Sequence, residues 1–282
     1  MMMLPEDCVA KILSFTTPAD TMSSAAVSSV FRCAGDSDFV WENFLPSDYD
    51  RMISQSIGHL SFSTKKDLYR RLCESILIDD GRKMFKIDKF SGKISYVLSA
   101  RDLSITWSDQ PMYWSWNRRQ DSRFAEAVEL VMTDWLEIHG KIRTGLLSPS
   151  TRYGAYLVMK VTARAYGLDL VPAKTSIRLG NDQTHKNSTY LCCLEDKKEL
   201  MKRLIFANRE ERMAEVVVAE AGGGQLNEPK ERSDGWMEIE LGEFETGKGD
   251  HDNEVVMGLT EVEGFQLKGG IVVEGIEVRP KP

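Results

Sequence analysis

A chain of 282 residues, 42% hydrophobic and 28% charged, is long enough for one or two sizeable cores and too apolar to be disordered or fibrous. Its net charge of -7 argues against a nucleic-acid binder, whose domains usually carry a basic face. No stretch reaches the roughly 18 consecutive apolar residues of a membrane helix. Acidity concentrates at the start: residues 1–60 hold three basic residues against eight acidic ones, which marks that segment as a separate module. Glu6 and Asp7 stand where a secretory leader would be basic, so the expected compartment is the cytoplasm, the nucleus or both. Five cysteines without CxxC spacing predict reduced thiols, with no disulfide framework and no zinc site.

In chain order, residues 1–46 read as three short helices. Pro5 suits a first helical turn, Glu6 and Asp7 favour its positive end, and Val9, Ile12 and Leu13 recur at helical spacing until about Phe15. Thr17, Pro18 and Asp20 start a second helix running on through Met22, Ala25, Ala26 and Val27. The third, "SDFVWENFLP", caps at Ser37 or Asp38 and stops before Pro46. Cys8, Val9, Ile12, Leu13 and Phe15 point around more than half of the first helix. The surplus must pack on the rest of the chain or on a partner, and periodicity alone does not separate these. Residues 47–80 form a connector, with "STKKDLYRRLCESIL" as a helix presenting Leu68, Leu72, Ile76 and Leu77. Its "KKDLYRR" reads as a solvated basic face or a nuclear import signal.

From about Lys83 the apolar period changes to two. "KISYVL", "AVELVM", "LEIHGKI", "YGAYLVMKV", "AEVVVAE", "WMEIELGEF", "EVVMGLTEV" and "GIVVEGIEV" are strand-like and separated by turn residues, which predicts an antiparallel β-sandwich or jelly roll. One helix, around Lys197 to Arg212, interrupts it, and "AEAGGGQLNEPKERSDG" is a long polar loop. The expected architecture is thus α+β and multidomain: a helical module 1–46, a helical linker 47–80 and a sandwich 81–282.

The four histidines are scattered and form no ligand-spaced or nucleophile-activating motif, and "AGGGQL" lacks the Lys-Ser/Thr of a phosphate loop. No cofactor is expected. Two aromatic stretches remain. In "SITWSDQPMYWSW" three of the six tryptophans crowd together. Trp107 and Trp114 flank the "SDQP" turn, where an indole can stack on a sugar ring while Asp109 bonds hydroxyls; the alternative is a core layer. Trp116 is expected in the core, although strand alternation puts it on the same face as Trp114. In "GWMEIELGEF", Glu238 and Glu240 share a face with Trp236, a combination suited to sugar hydroxyls or to an ordinary edge strand.

"LPEDCVAKILSFTTPADTMSSAAVSSVFRCAGDSDFVWENFLP" resembles an F-box, through Leu4-Pro5, Ile12-Leu13, Ala19-Asp20, Val27-Ser28 and Val40-Trp41. From about Lys83 to Lys281, "SARDLSITWSDQPMYWSW", "SRFAEAVELVMTDWLEIHGKI", "LSPSTRYGAYLVMKV", "DGWMEIELGEF" and "LKGGIVVEGIEVRPK" resemble the phloem lectin (Nictaba-like) family of plants. The resemblance implies a non-enzymatic substrate-recognition subunit of an SCF-type ubiquitin ligase. Its helices would bind a Skp-type adaptor and through it a cullin. Leu4, Pro5, Val9, Ile12, Leu13 and Phe15 are the expected contacts, while Val27, Phe31, Val40 and Trp41 are split between adaptor and core. The sandwich would bind a glycoprotein or protein substrate, or N-acetylglucosamine oligomers and N-glycans, through Trp107, Asp109, Trp114, Glu238 and Glu240. The alternative is a stand-alone carbohydrate-binding lectin.

Overall fold

A computed structural model describes residues 4–180, 182–192, 226–248 and 252–281. The expected helix at Lys197 to Arg212, the "AEVVVAE" strand and the first part of the glycine-rich loop lie outside these. Among the described residues the chain is mostly antiparallel β-sheet with few, short helices, and it divides into two units. The first comprises residues 1–99 with 278–280 and 282, the second residues 100–277 with 281. The division between them falls after Ser99.

Unit one holds α1 (Glu6–Leu13), α2 (Pro18–Ser24), α3 (Ser29–Asp36), α4 (Asp38–Glu42), α5 (Tyr49–Gln55) and α6 (Lys65–Cys73). The first 46 residues therefore form four helices where three are expected. The extra one arises because Ser28 is an N-cap, its hydroxyl accepting from the Phe31 amide, so α2 stops at Ser24 and a new helix begins. Thr17 and Thr64 cap α2 and α6 in the same way. The connector helix also ends early. Ser75 takes a left-handed φ of 72°, and Ile76 and Leu77 leave the helical stripe for β1 (Ile76–Ile78), which pairs with β2 (Lys83–Ile87). β2 continues through a turn into β3 (Ile94–Ser99).

Trp41 is the keystone of this unit. Its indole N–H donates to Gly35 O at 2.7 Å, its ring lies 5.1 Å from Tyr69 of α6, and the Tyr69 hydroxyl donates to Asp88 O at 3.1 Å. The lysines of "KKDLYRR" are engaged: Lys65 contacts the Tyr49 hydroxyl and Lys66 contacts Asp36.

Unit two contains β4 (Ser104–Ile105), β5 (Trp114–Arg118), β6 (Glu126–Leu130), β7 (Leu136–Arg143), β8 (Arg152–Tyr166), β9 (Ala173–Leu179), β10 (Asp182–Thr189), β11 (Leu226–Asn227), β12 (Lys230–Glu231), β13 (Met237–Glu245), β14 (Glu254–Glu261) and β15 (Gly269–Pro280). Within this unit one sheet runs β5-β6-β15-β8-β13-β12 and the other β11-β10-β9-β14-β7-β4. Pairing is antiparallel except between β10 and β11. The sheets pack through β13 against β9 and β10. β7 follows the alternation expected of it: Leu136, Ile138, Gly140 and Ile142 are buried while Glu137, His139, Lys141 and Arg143 are more exposed.

The outer face of the first sheet is also closed. Trp236 folds over it and buries Ala127, Val158 and Val272. Its N–H donates to Asp121 O at 2.7 Å, and Lys160 sits 4.7 Å from its ring centroid. Beside it, Arg123 pairs with the fully buried Glu274 and with Glu277, which also receives Arg232.

Candidate functional site

The helical unit separates the expected adaptor contacts into two sets. Val9 and Leu13, four residues apart on α1, are 1% and 3% exposed and pack inward, as do Val40 and Trp41. These four belong to the core; Val9 and Leu13 correct the expectation that the whole set faces outward. Leu4, Pro5, Ile12, Phe15 and Val27 are exposed, and Phe31 is half-buried. Phe15 is 77% exposed and Ile12 52%. Phe39 and Lys11, both exposed and outside the expected contacts, complete the surface. The Lys11 ammonium lies 4.9 Å from the Phe15 ring centroid and 5.4 Å from that of Phe39, joining α1 to α4. Phe39 follows Asp38 directly, and only its place on the α4 face opposite Val40 and Trp41 could have flagged it.

In unit two the aromatic stretch forms a loop over two indoles. Trp114 is buried and donates to Thr106 O at 3.0 Å; Trp116 donates to Ser108 O at 2.7 Å. Both rings thus anchor the segment above them. Trp114 is therefore not a free stacking ring, because it is the inner residue of β5 opposite Leu130. Trp116 is not core either: it is half-buried under the Arg101 guanidinium, 3.5 Å from its ring centroid, and Arg101 in turn binds Glu126.

Of the three tryptophans in this stretch, Trp107 is the one displayed. It is 37% exposed, adopts φ +58°, and stacks on Tyr113 with centroids 4.8 Å apart. A bulky residue in the left-handed region costs on the order of 1–3 kcal/mol and is a reason to look for function. Asp109 is exposed on the same loop.

Glu238 and Glu240 do not join this group. Glu238 receives Arg232 at 2.7 Å, and Glu240 receives Lys281 at 2.7 Å. The aromatic expected beside them, Trp236, is 1% exposed. Lys281 also contacts Glu243, whose carboxyl it holds below the ordinary range, with Arg152 adding to the effect. These acids are structural parts of the first sheet.

What does lie beside Trp107 is Glu137 of β7. It accepts from the Thr106 hydroxyl at 3.2 Å and the Trp135 N–H at 3.1 Å, while His139 Nε2 lies 3.0 Å away. His139 and Trp135 together hold the Glu137 carboxyl below its usual range. Trp135 is 44% exposed. The signal was legible: in "DWLEIHGKI", Trp135, Glu137 and His139 alternate on one strand face. Among the described residues no group of three or more His, Cys, Asp or Glu is arranged to hold a metal ion, and no helix is long and apolar enough to cross a membrane.

The depressed carboxylates set a pH dependence. Glu137, Glu243 and Asp121, the last bound by Arg119 and Lys160, all have folded values below the unfolded range near 4. Groups of this kind contribute stability above the unfolded value and lose it as pH falls through the folded one. The unfolding midpoint is expected to stay level from pH 7 to about 5 and to drop below about 4, measured by thermal melts across that range.

Residues 93–280 match the family model "Phloem protein 2", and the chain belongs to that family. More closely, it is similar to the F-box protein PP2-B15 of Arabidopsis thaliana, with 69% identity covering 100% of this chain and 97% of that protein. It is likewise similar to the F-box protein VBF of Arabidopsis thaliana, with 67% identity covering 100% of each. It is thus a plant-type F-box protein with a phloem-lectin domain, and its named relatives indicate no enzymatic family. Among solved structures, a family 35 carbohydrate-binding module from Clostridium thermocellum is similar at 10% identity and a TM-score of 0.31, covering 65% of this chain and 96% of that one. That likeness is too distant to bear on function.

Proposed function

We propose that this chain is a non-catalytic substrate-recognition subunit of an SCF-type ubiquitin ligase, acting in the cytoplasm, the nucleus or both. Unit one takes a Skp-type adaptor, and through it a cullin. Unit two takes the glycoprotein or protein to be modified. One observation carries the reading: α1 buries Val9 and Leu13 yet leaves Ile12 bare, with the exposed Phe15 just past its end and Phe39 of α4 joined to it through Lys11. A contiguous exposed apolar face of this kind marks an interaction surface. The F-box names of the relatives support the same assignment. A stand-alone lectin would also use the rings of Trp107 and Trp135, but it leaves the outer face of α1 without a role.

The chemistry of ubiquitin transfer belongs to the partner enzymes, and this chain contributes proximity by holding two partners at once. Reconstitution tests this directly. Full-length chain, adaptor, cullin–RING module and the activating and conjugating enzymes are mixed, and ubiquitin on the chain's own lysines is followed by mass spectrometry. Modification is expected with the wild type and is expected to vanish with Ile12→Asp/Phe15→Asp. Equal modification of both proteins would refute the assignment.

A further inference from the structure

The loop end of unit two carries more exposed apolar surface than the Trp107 and Trp135 rings alone. Phe265 is 98% exposed and Leu267 50%, on the connection between β14 and β15. Met112 at 59% and Leu170 at 43% extend it.

Backbone contacts show that these segments adjoin. The Val131 amide donates to Tyr113 O at 2.8 Å, and the Tyr166 hydroxyl donates to Val131 O at 3.2 Å. Thr133 and Lys268 exchange backbone hydrogen bonds of 2.9 and 2.8 Å. A Cβ placed on Gly167 would lie 2.3 Å from Leu267 O, so the 166–171 and 261–268 loops touch.

The surface is built rather than loose. Lys268, 2% exposed, contacts Glu261 and donates to Asp134 O at 2.7 Å; Glu261 in turn accepts from the Gly264 amide at 3.0 Å. The loop is thereby pinned at both ends while Phe265 points to solvent.

Charge selects the occupant. In segments 104–113, 131–139, 164–171 and 261–268, besides the Glu261–Lys268 pair and the Glu263 bound to Lys174 of the neighbouring β9, the exposed acids are Asp109 and Asp134, against Arg164 as the exposed cation. A neutral glycan can hydrogen-bond to these carboxylates but gains no Coulombic attraction from their excess. A cationic side chain gains from it and from the faces of exposed indoles.

We propose that this end of unit two is a docking surface for a basic, apolar segment of a partner protein, with Phe265 and Leu267 receiving large apolar side chains and the carboxylates and indole faces receiving Lys or Arg. The proposal rests on unit two being the receptor half of the molecule, but its test needs no adaptor.

Fluorescence anisotropy on the full-length chain would use three probes: a labelled twelve-residue leucine–arginine peptide, its leucine–glutamate counterpart, and labelled chitotriose. The leucine–arginine peptide is expected to bind with a Kd on the order of 10 µM and the leucine–glutamate peptide not to bind. Phe265→Ser and Asp109→Asn/Asp134→Asn are each expected to weaken binding at least about fivefold, the latter more at low salt than at high. Equal binding of both peptides, binding indifferent to both variants, or chitotriose binding that the basic peptide does not compete would overturn the proposal. Retained adaptor binding by Phe265→Ser would keep a failure here distinct from a failure of the ligase reading.

Discussion

Replacing Trp114 with alanine is expected to destabilise unit two by about 3–5 kcal/mol, the usual cost of emptying a large buried aromatic site. Trp107→Ala is expected to stay within about 1 kcal/mol of the wild type, because an exposed ring removed from the surface leaves no cavity. The contrast follows from position. Trp114 is 2% exposed, lies opposite Leu130 in β5, and ties the overlying segment down through its bond to Thr106 O. Trp107 sits on top of that segment at φ +58° and contacts Tyr113. Trp107→Gly is expected to match or exceed the wild type in stability, since glycine removes the left-handed strain. Five of the six tryptophans, all except Trp41, belong to unit two, so indole fluorescence in a urea titration reports this unit. Equal losses for Trp107→Ala and Trp114→Ala would contradict the division between displayed and anchoring rings.

A second large effect is expected at Lys268. Lys268→Met strands the 3%-exposed Glu261 side chain with, among the described residues, the Gly264 amide left to serve it, and it also frees Asp134 O. Breaking a buried pair by removing one partner costs about 3–5 kcal/mol, whereas replacing both by apolar residues is often close to neutral. The double substitution Lys268→Met/Glu261→Met is therefore expected to recover most of the loss, in the same titration. Equal stability of the single and double variants would show that the pair is not coupled.

Much of this fold was readable from residue periods. Alternation is followed closely in β7, which has one face in the core, whereas β8 and β15 are buried on both faces along most of their length. The helix count in unit one failed for a local reason. "VSSVFRCAGD" has little apolar periodicity, and what makes it a helix is the Ser28 cap together with packing under Trp41. Likewise Ile76 and Leu77 continue the α6 stripe on paper, but the left-handed Ser75 turns them into β1.

The candidate site was legible only in part. Alternation correctly placed Trp114 and Trp116 on one face of β5, yet it carries no information about what covers that face. The cover is the chain itself, the Thr106–Ser108 segment and the Arg101 guanidinium, and these are contacts made through a loop. Glu238 and Glu240 looked available because their cations, Arg232 and Lys281, reach them from another strand end and from the end of the chain. Phe265 and Trp135 are more than a hundred residues apart, and their segments are joined by the Thr133–Lys268 bridge and by the Lys268 ammonium on Asp134 O. In unit one the period pairs Val9 with Leu13, but it also puts Ile12 near their face, and Phe15 lies past the end of α1, so their exposure was not legible from spacing.

The exposure of Ile12 and Phe15 makes the most direct test of the account possible with a folded protein. Isothermal titration of purified full-length chain with a purified Skp-type adaptor is predicted to give a one-to-one complex with a Kd on the order of 1 µM or tighter. Ile12→Asp/Phe15→Asp is predicted to weaken it by at least about 100-fold while leaving the urea midpoint unchanged, because both side chains are exposed. No binding by the wild type, or undiminished binding by the folded variant, would contradict the central claim that the outer face of α1 is the adaptor surface.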